Sequence, residues 1–513
     1  MSQTRQTHYT QPVWFPQASQ LALLTNVTGS LNQLALYDVP SHQLRVVTHG
    51  EEQISGIHPS PSGDSMVYIA SHNGHEKLQM YLYTISTKEH RALTNNPLAM
   101  HRGASWSPDG RYIVYSANST HENEFHIFEL DTLTHNIIPV IVEDGCWDSL
   151  GYSPSGRYIV VRKRKGFHNH DMYIWDRFSR ILHPILVEET VHFECKMAYW
   201  SPDESVIYAI SNWNVDLMRV IAVHLSSGYV HTVYEASHDV DQWAMTKDCT
   251  RALVCENING AHTVHVLERQ ESGYMVTASK EMGGYVRSLS WSSDDQHVAL
   301  SYDSPQYFTH IRIFDAQLNT IARIPQQEDK VFAPTAPQPQ PFSFESFDGM
   351  TINGLSYTPQ GSGPFPVIVH LHGGPEDQHR YQYSAWIHRL IEEGYAVVAP
   401  NIRGSIGFGK KFMASDDREK RFDAIADLNS LHAWIVKQTE YDEHRCVLSG
   451  GSYGAFLTLA GLVWQPALWQ AGICRVGMYD LNHFFAHTAP WRKELRAVEY
   501  GHPDTDTELL RVL

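Results

Sequence analysis

The strongest constraint on the fold is a repeat. The segments WSPDGRYIVYSA from Trp106, YSPSGRYIVVRK from Tyr152, WSPDESVIYAIS from Trp200 and WSSDDQHVALSY from Trp291 share one layout. Weaker copies are PSPSGDSMVYIA from Pro59, MTKDCTRALVCE from Met245 and WFPQASQLALLT from Trp14. Successive starts, at 14, 59, 106, 152, 200, 245 and 291, lie 45 to 48 residues apart. In each unit a Ser-Pro-Asp-Gly-like turn precedes alternating or β-branched residues, as in Arg111 to Tyr115. Proline presets φ for such a turn, and Asp and Gly suit its remaining positions. A second strand pair follows in each unit, as in FHIFELDTLTHNIIPV and DMYIWDRFSRILHPIL, and no sustained 3.6-residue period occurs. Seven units of about four short strands each predict an all-β, seven-bladed β-propeller of TolB/WD40-like repeats over residues 12–325. Stacked sandwiches are the alternative all-β array.

After Ile324 the pattern stops. PQQEDKVFAPTAPQPQP is rich in proline and glutamine and predicts an extended linker over 326–341. FSFESFDGMTINGLSYTP then alternates around an Asp348-Gly349 hairpin signal. From Pro366 the texture becomes strand, loop and helix: PVIVHLHGG, YSAWIHRLIEEG, YAVVAPNIRGS, DAIADLNSLHAWIVKQ and RCVLSGGSYGAFLTLAGLVW. This alternation predicts an α/β domain with a mostly parallel sheet over 342–513, which makes the chain multidomain.

Chemistry enters at Gly450-Gly451-Ser452-Tyr453-Gly454, a G-x-S-x-G pattern placed where a strand turns into a helix. A Cβ at Gly450 or Gly454 would collide with backbone across so tight a turn. The turn sets Ser452 at a helix N-terminus, where N–H groups favour developing negative charge. Tyr453 N–H is one natural oxyanion donor. The loop His372-Gly373-Gly374-Pro375, ending the strand PVIVHL, is placed to supply the second.

HGGP, NIRGSIGFGKKF (Asn401 to Phe412) and GGSYGAF, behind a seven-repeat propeller, together resemble the prolyl oligopeptidase family of serine peptidases, closest in texture to its acylaminoacyl-peptidase-like members. The resemblance implies a cytoplasmic peptidase of short peptides, with the propeller restricting access. It makes Ser452 the nucleophile and gives Tyr453 and Gly374 as backbone oxyanion donors, with no metal or organic cofactor. The family motif commonly reads Ser-Tyr-Gly-Gly; here Ala455 replaces the last glycine.

The family places its triad acid after the seventh strand of this fold and its histidine after the eighth. Downstream of Ser452 the sequence offers one strand, AGICRVG, and then a helical and loop-like segment. The expectation is therefore an incomplete α/β-hydrolase domain, truncated at its C-terminus, with the triad Asp and His absent and the chain inactive alone. Asp480, His483, His487 and His502 are local stand-ins only if one histidine reaches Ser452; otherwise they form a cap beside the site. The last strand would be an uncovered edge, prone to self-association or to complementation by a missing segment. The alternatives are a propeller-based binding protein with a dead hydrolase domain, or an esterase.

Charge and composition exclude other classes. The net charge of −17 argues against nucleic acid as a partner. The N-terminus has no apolar segment of signal-peptide length and no run of about 18 apolar residues occurs, so no membrane is expected and the cytoplasm is the default location. Six scattered cysteines without a CxxC pair read as free thiols. Arg162-Lys163-Arg164-Lys165 reads as a solvated hairpin, and His168-Asn169-His170-Asp171 as surface or hairpin residues rather than metal ligands. Glu188-Glu189 faintly resembles the acidic pair by which aminodipeptidases hold a substrate N-terminus, but reads as a solvated rim pair.

Overall fold

A computed structural model describes residues 6–17, 19–72, 74–189, 191–327 and 331–513. Residues 328–330 of the expected linker lie outside the described residues. The described residues form seven four-stranded antiparallel sheets and one six-stranded sheet. Each four-stranded sheet is one repeat, its strands paired in sequence order. The first strands of the seven blades are Tyr9–Trp14, Ile54–Pro59, His101–Trp106, Cys146–Tyr152, Cys195–Trp200, Val240–Met245 and Tyr285–Trp291. These strands touch one another around the ring, so they are innermost. The first begins at Tyr9, ahead of the expected start at residue 12.

Every repeat start in the sequence falls on the last residue of an innermost strand, which explains the signal. In the third, fifth and seventh blades the turn serine donates to the aspartate two residues on: Ser107 to Asp109 at 2.5 Å, Ser201 to Asp203 at 2.6 Å and Ser292 to Asp294 at 2.5 Å. The same hydroxyls accept the amides of Tyr112, Val206 and His297 at 2.8 to 2.9 Å, closing each turn from inside. The fourth turn residue is left-handed whether it is Gly110 (φ 72°), Glu204 (φ 59°) or Asp295 (φ 57°).

Tryptophans staple neighbouring blades. Trp106 Nε1 donates to His58 O at 2.9 Å and Trp291 Nε1 to Ala244 O at 3.2 Å, each one repeat back. The ring closes by the same device, since Trp14 Nε1 donates to Ser290 O at 3.2 Å. Among the described residues no strand is exchanged at the seam. Tyr9, Trp14, Leu21 and Leu23 of the first blade instead pack on Ala299, Ile311 and Ile313 of the seventh.

One sequence reading of the propeller is corrected and another narrowed. The basic run is not a solvated hairpin: Arg162 and Arg164 lie on the second strand of the fourth blade and converge on the buried carboxylate of Asp148, at 2.9 and 2.5 Å. Strand alternation turns Lys163 to the opposite face, 5.3 Å from the Trp147 ring. The histidine cluster is at a hairpin but not at the surface. His170 and Asn169 are buried, and His168 bonds Glu194 at 2.9 Å. Among the described residues no cluster of three His, Cys, Asp or Glu is placed to hold a metal ion, and no helix is long and apolar enough to cross a membrane.

The second domain is built on a sheet of strands β1 (Gln340–Glu345), β2 (Thr351–Tyr357), β3 (Phe365–Leu371), β4 (Ala396–Pro400), β5 (Tyr441–Gly451) and β6 (Ala471–Arg475), in the order 1-2-4-3-5-6. The β1–β2 and β2–β4 pairs are antiparallel and the rest parallel. Continuous apolar runs such as Ala396–Pro400 arise because helices cover both faces. Val398 faces helices α3 (Arg421–Ile435) and α4 (Tyr453–Trp464), while Val397 faces α1 (Ala385–Glu392). The short α2 (Lys410–Met413) lies between β4 and α3, and α5 (Leu481–His487), α6 (Pro490–Tyr500) and α7 (Thr507–Val512) follow β6.

The two domains meet through polar and apolar contacts. Arg380 pairs with Asp241 of the sixth blade at 3.0 Å, Gly409 N donates to Asp239 at 2.9 Å, and Lys411 N to Asp216 at 2.9 Å. Trp491 and Leu495 of α6 pack on Phe125 and Cys146 of the propeller. One face of α6 is thus seated on the propeller while the other looks into the domain below.

Candidate active site

Strand β5 ends at Gly451 and α4 starts at Tyr453, so Ser452 alone makes the reversal. Its backbone is at φ 53° and ψ −120°, a sparsely populated region for a residue with a side chain. Two close approaches over-determine it. A Cβ on Gly450 would stand 2.2 Å from the Gly454 carbonyl carbon and oxygen, and one on Gly454 would stand 2.2 Å from Leu371 O. Ser452 N donates to Arg475 O at 3.0 Å, tying the bend to β6. Ser452 itself is exposed. Tyr453 N–H, in the first turn of α4, has no acceptor within its own helix.

The loop after β3 faces this bend. A Cβ on Gly373 would stand 3.3 Å from Ser452 Cβ and 4.0 Å from its Oγ, so the loop touches the serine through bare backbone. Gly374, at φ 119°, lines a cavity of about 710 Å³ together with Ser452. The sequence-predicted residues Ser452, Tyr453 and Gly374 are therefore adjacent.

His372 supports the loop rather than the reaction. It is buried, its Nδ1 meets Gly373 O at 2.8 Å and its Nε2 meets Ser405 Oγ at 2.9 Å. Burial holds its pKa below the usual imidazole value, so it is neutral at pH 7. This explains the NIRGS stretch, whose role the sequence did not disclose. Ser405 bonds His372, and Asn401 Oδ1 accepts His379 N at 2.7 Å. Buried Arg403 bonds Asp427 at 2.7 and 2.6 Å and Asp348 at 3.0 and 3.2 Å.

Beneath the site lies a buried ion cluster that sequence reasoning missed. The Arg421 guanidinium sits between two tyrosine rings, 4.8 Å from Tyr453 and 4.3 Å from Tyr500. It pairs with Asp416 at 3.3 Å and Glu499 at 3.2 Å. Tyr453 OH donates to Asp416 Oδ2 at 2.9 Å, and Tyr500 OH donates to Gly374 O at 3.1 Å. Arg496 bonds Glu376 at 2.7 Å and Glu499 at 2.9 Å. Burial pushes the carboxyls of Asp416 and Glu499 well up from the usual range, and Asp417 beside them up to about 6. The cluster draws on residues 376, 416, 421, 453, 496, 499 and 500, a spread with no local signature.

Asp480, His483 and His487 line the same cavity as Ser452, whereas His502 faces Glu494 and Asp504. Asp480 caps α5, accepting His483 N at 3.0 Å, and His487 Nδ1 donates to His483 O at 2.9 Å. Among the described residues no histidine or carboxylate is hydrogen-bonded to Ser452 Oγ. Glu188 and Glu189 do not line the cavity. All five residues of edge strand β6 are exposed, Ile473 among them, and Leu459, Val463 and Trp464 of α4 present further exposed apolar surface.

Comparison with known proteins adds independent findings. The family model for the prolyl oligopeptidase family matches residues 381–512, and that for its N-terminal β-propeller domain matches 48–325. Dipeptidyl aminopeptidase BIII of Pseudoxanthomonas mexicana is 23% identical, over 96% of this chain and 73% of its own length. Acylamino-acid-releasing enzyme 1 of Oryza sativa subsp. japonica is 31% identical over 117 residues, covering 23% of this chain and 15% of its own. A solved structure from a study of two prolyl endopeptidases superposes with a TM-score of 0.83 at 15% identity, covering 99% of this chain and 77% of that one.

Proposed function

Because the chain belongs to the prolyl oligopeptidase family of serine peptidases, we propose that its substrates are short peptides and that Ser452 is its nucleophile. Ser452 Oγ attacks the scissile carbonyl, and the resulting oxyanion accepts hydrogen bonds from Tyr453 N–H and Gly374 N–H. The amine then leaves, and water releases the acyl group from the serine. The single observation that carries this reading is the strained, exposed Ser452 held against the bare backbone of Gly373, with Gly374 lining the same cavity.

The reaction also needs a base for the Ser452 proton, and none of the described histidines touches that hydroxyl. We therefore propose that the 513 residues alone turn over peptide amides negligibly. In a well-studied serine protease, loss of the base costs on the order of a millionfold in turnover. The open edge of β6 is where a further strand, from a complementing segment or a second copy, would pair and bring a base close. Six unpaired cysteines, five of them buried, support a reducing compartment such as the cytoplasm.

The test is hydrolysis of N-acylated and free-amino peptide arylamides by the chain alone. Background rates are expected. Turnover that disappears in Ser452→Ala would overturn the proposed lack of a base while upholding the nucleophile. The unpartnered serine also favours a second reading, a propeller-based binding protein with a non-catalytic hydrolase domain. A partner bound equally well by the wild type and by Ser452→Ala, with no turnover under any condition, would favour that reading.

A further inference from the structure

The cavity beside Ser452 is unusual in its charge. Besides Tyr479 and Tyr500, its ionisable lining consists of Arg492, Arg496, His483, His487, Asp480 and Glu76. Most of these are already engaged. Arg496 is neutralised by Glu376 and Glu499 at 2.7 and 2.9 Å. Asp480 is occupied as the cap of α5, and His487 Nδ1 is bonded to His483 O. Arg492 differs. Its ion-pair partner, Glu76 of the second blade, stands 3.9 Å away, beyond hydrogen-bond reach, and the Glu76 side chain is 78% exposed.

Helix stability does not account for Arg492. It lies in the first turn of α6, where the helix dipole favours anions, and that turn holds no acidic residue. Its guanidinium lies 4.8 Å from the ring of Trp491, which is itself seated on the propeller, and its side chain is 42% exposed. A guanidinium resting on an anchored ring, with no side-chain hydrogen bond among the described residues and at the wall of a cavity that contains a candidate nucleophile, is suited to a bidentate carboxylate. The net charge of −17 sharpens the point, because an anionic ligand gains nothing from the overall field and needs a local cation.

We propose that this cavity selects peptides that bring a carboxylate to it, and that Arg492 reads that carboxylate. The proposal rests on the reading that peptides enter beside Ser452. The carboxylate has two possible sources, an acidic side chain or the free C-terminus of a short peptide, and the bound form displaces Glu76 from Arg492.

The experiment is equilibrium binding at low salt, which needs no turnover. One arm compares acetyl-trialanine with its C-terminal amide. The other compares acetyl-Ala-Glu-Ala-amide with acetyl-Ala-Gln-Ala-amide. In at least one arm the carboxylate member is expected to bind about tenfold more tightly. The arm that shows the preference identifies the source. Arg492→Gln should abolish the preference and leave the neutral peptide unchanged, Arg492→Lys should retain part of it, and Glu76→Gln should increase it. Equal binding of both members in both arms overturns the proposal, as does a preference that persists in Arg492→Gln. If Arg492→Gln fails to fold, Glu76→Gln decides, since an unchanged preference there also overturns it. Equal binding leaves the peptidase reading intact, whereas absence of any peptide binding removes both.

Discussion

Replacing Gly454 by alanine probes the bend at its tightest point. The new Cβ would lie 2.2 Å from Leu371 O and 2.7 Å from His372 O. Both contacts are with backbone, so no side-chain rotation relieves them. The end of β3 and the loop that carries Gly373 and Gly374 must move by roughly 1 Å to restore ordinary contact. Overpacking of this kind costs about 1–3 kcal/mol, and the better helix propensity of alanine offsets at most about 1 kcal/mol of it. In a domain of this size the net cost, up to about 3 kcal/mol, corresponds to a melting shift of up to roughly 12 °C. The assay is thermal unfolding together with hydrogen exchange of the segment 371–380, with Gly29→Ala, whose new Cβ meets nothing within 4 Å, as the control. Faster exchange of that segment and a lower melting transition are expected. If both stay at wild-type values, the close approach of α4 to the loop is not what holds the bend.

Two further outcomes test the cluster and the ring. Burial raises Asp417 from an ordinary 3.8 to about 6. As pH rises from about 4 the unfolded chain loses this proton first, so stability falls until about pH 6 and then levels off, by about 3 kcal/mol at most. Asp417→Asn should flatten that part of the stability profile in denaturant unfolding. Trp14→Phe removes the bond to Ser290 O at the seam, worth about 1 kcal/mol. Hydrogen exchange should rise first in Tyr9–Trp14 and Tyr285–Trp291, and a uniform rise over all seven blades would contradict a local seam.

What the sequence disclosed and what it hid follow from how local each signal is. The Ser-Pro-Asp-Gly turns were legible because Ser107, Asp109 and Tyr112 complete their hydrogen bonds within six residues. The elbow was legible because Gly450 and Gly454 answer a steric demand inside one turn. Arg162 was misread, and the burial of the His170 hairpin missed, because composition cannot show that a charged strand faces Asp148, or that a polar hairpin is covered by the next blade. The tether from Tyr500 to Gly374 spans 126 residues and carries no pattern at all.

The most direct measurement is the rate and site of labelling by a fluorophosphonate, read by mass spectrometry on the intact chain and its peptides. The proposed oxyanion donors, Tyr453 N–H and Gly374 N–H, facing Ser452 with no base beside it as proposed, predict an adduct on Ser452 in preference to every other exposed serine, formed slowly and absent from Ser452→Ala. Labelling scattered over surface serines would contradict the oxyanion geometry, and complete labelling of Ser452 within seconds would show that a base is already in place.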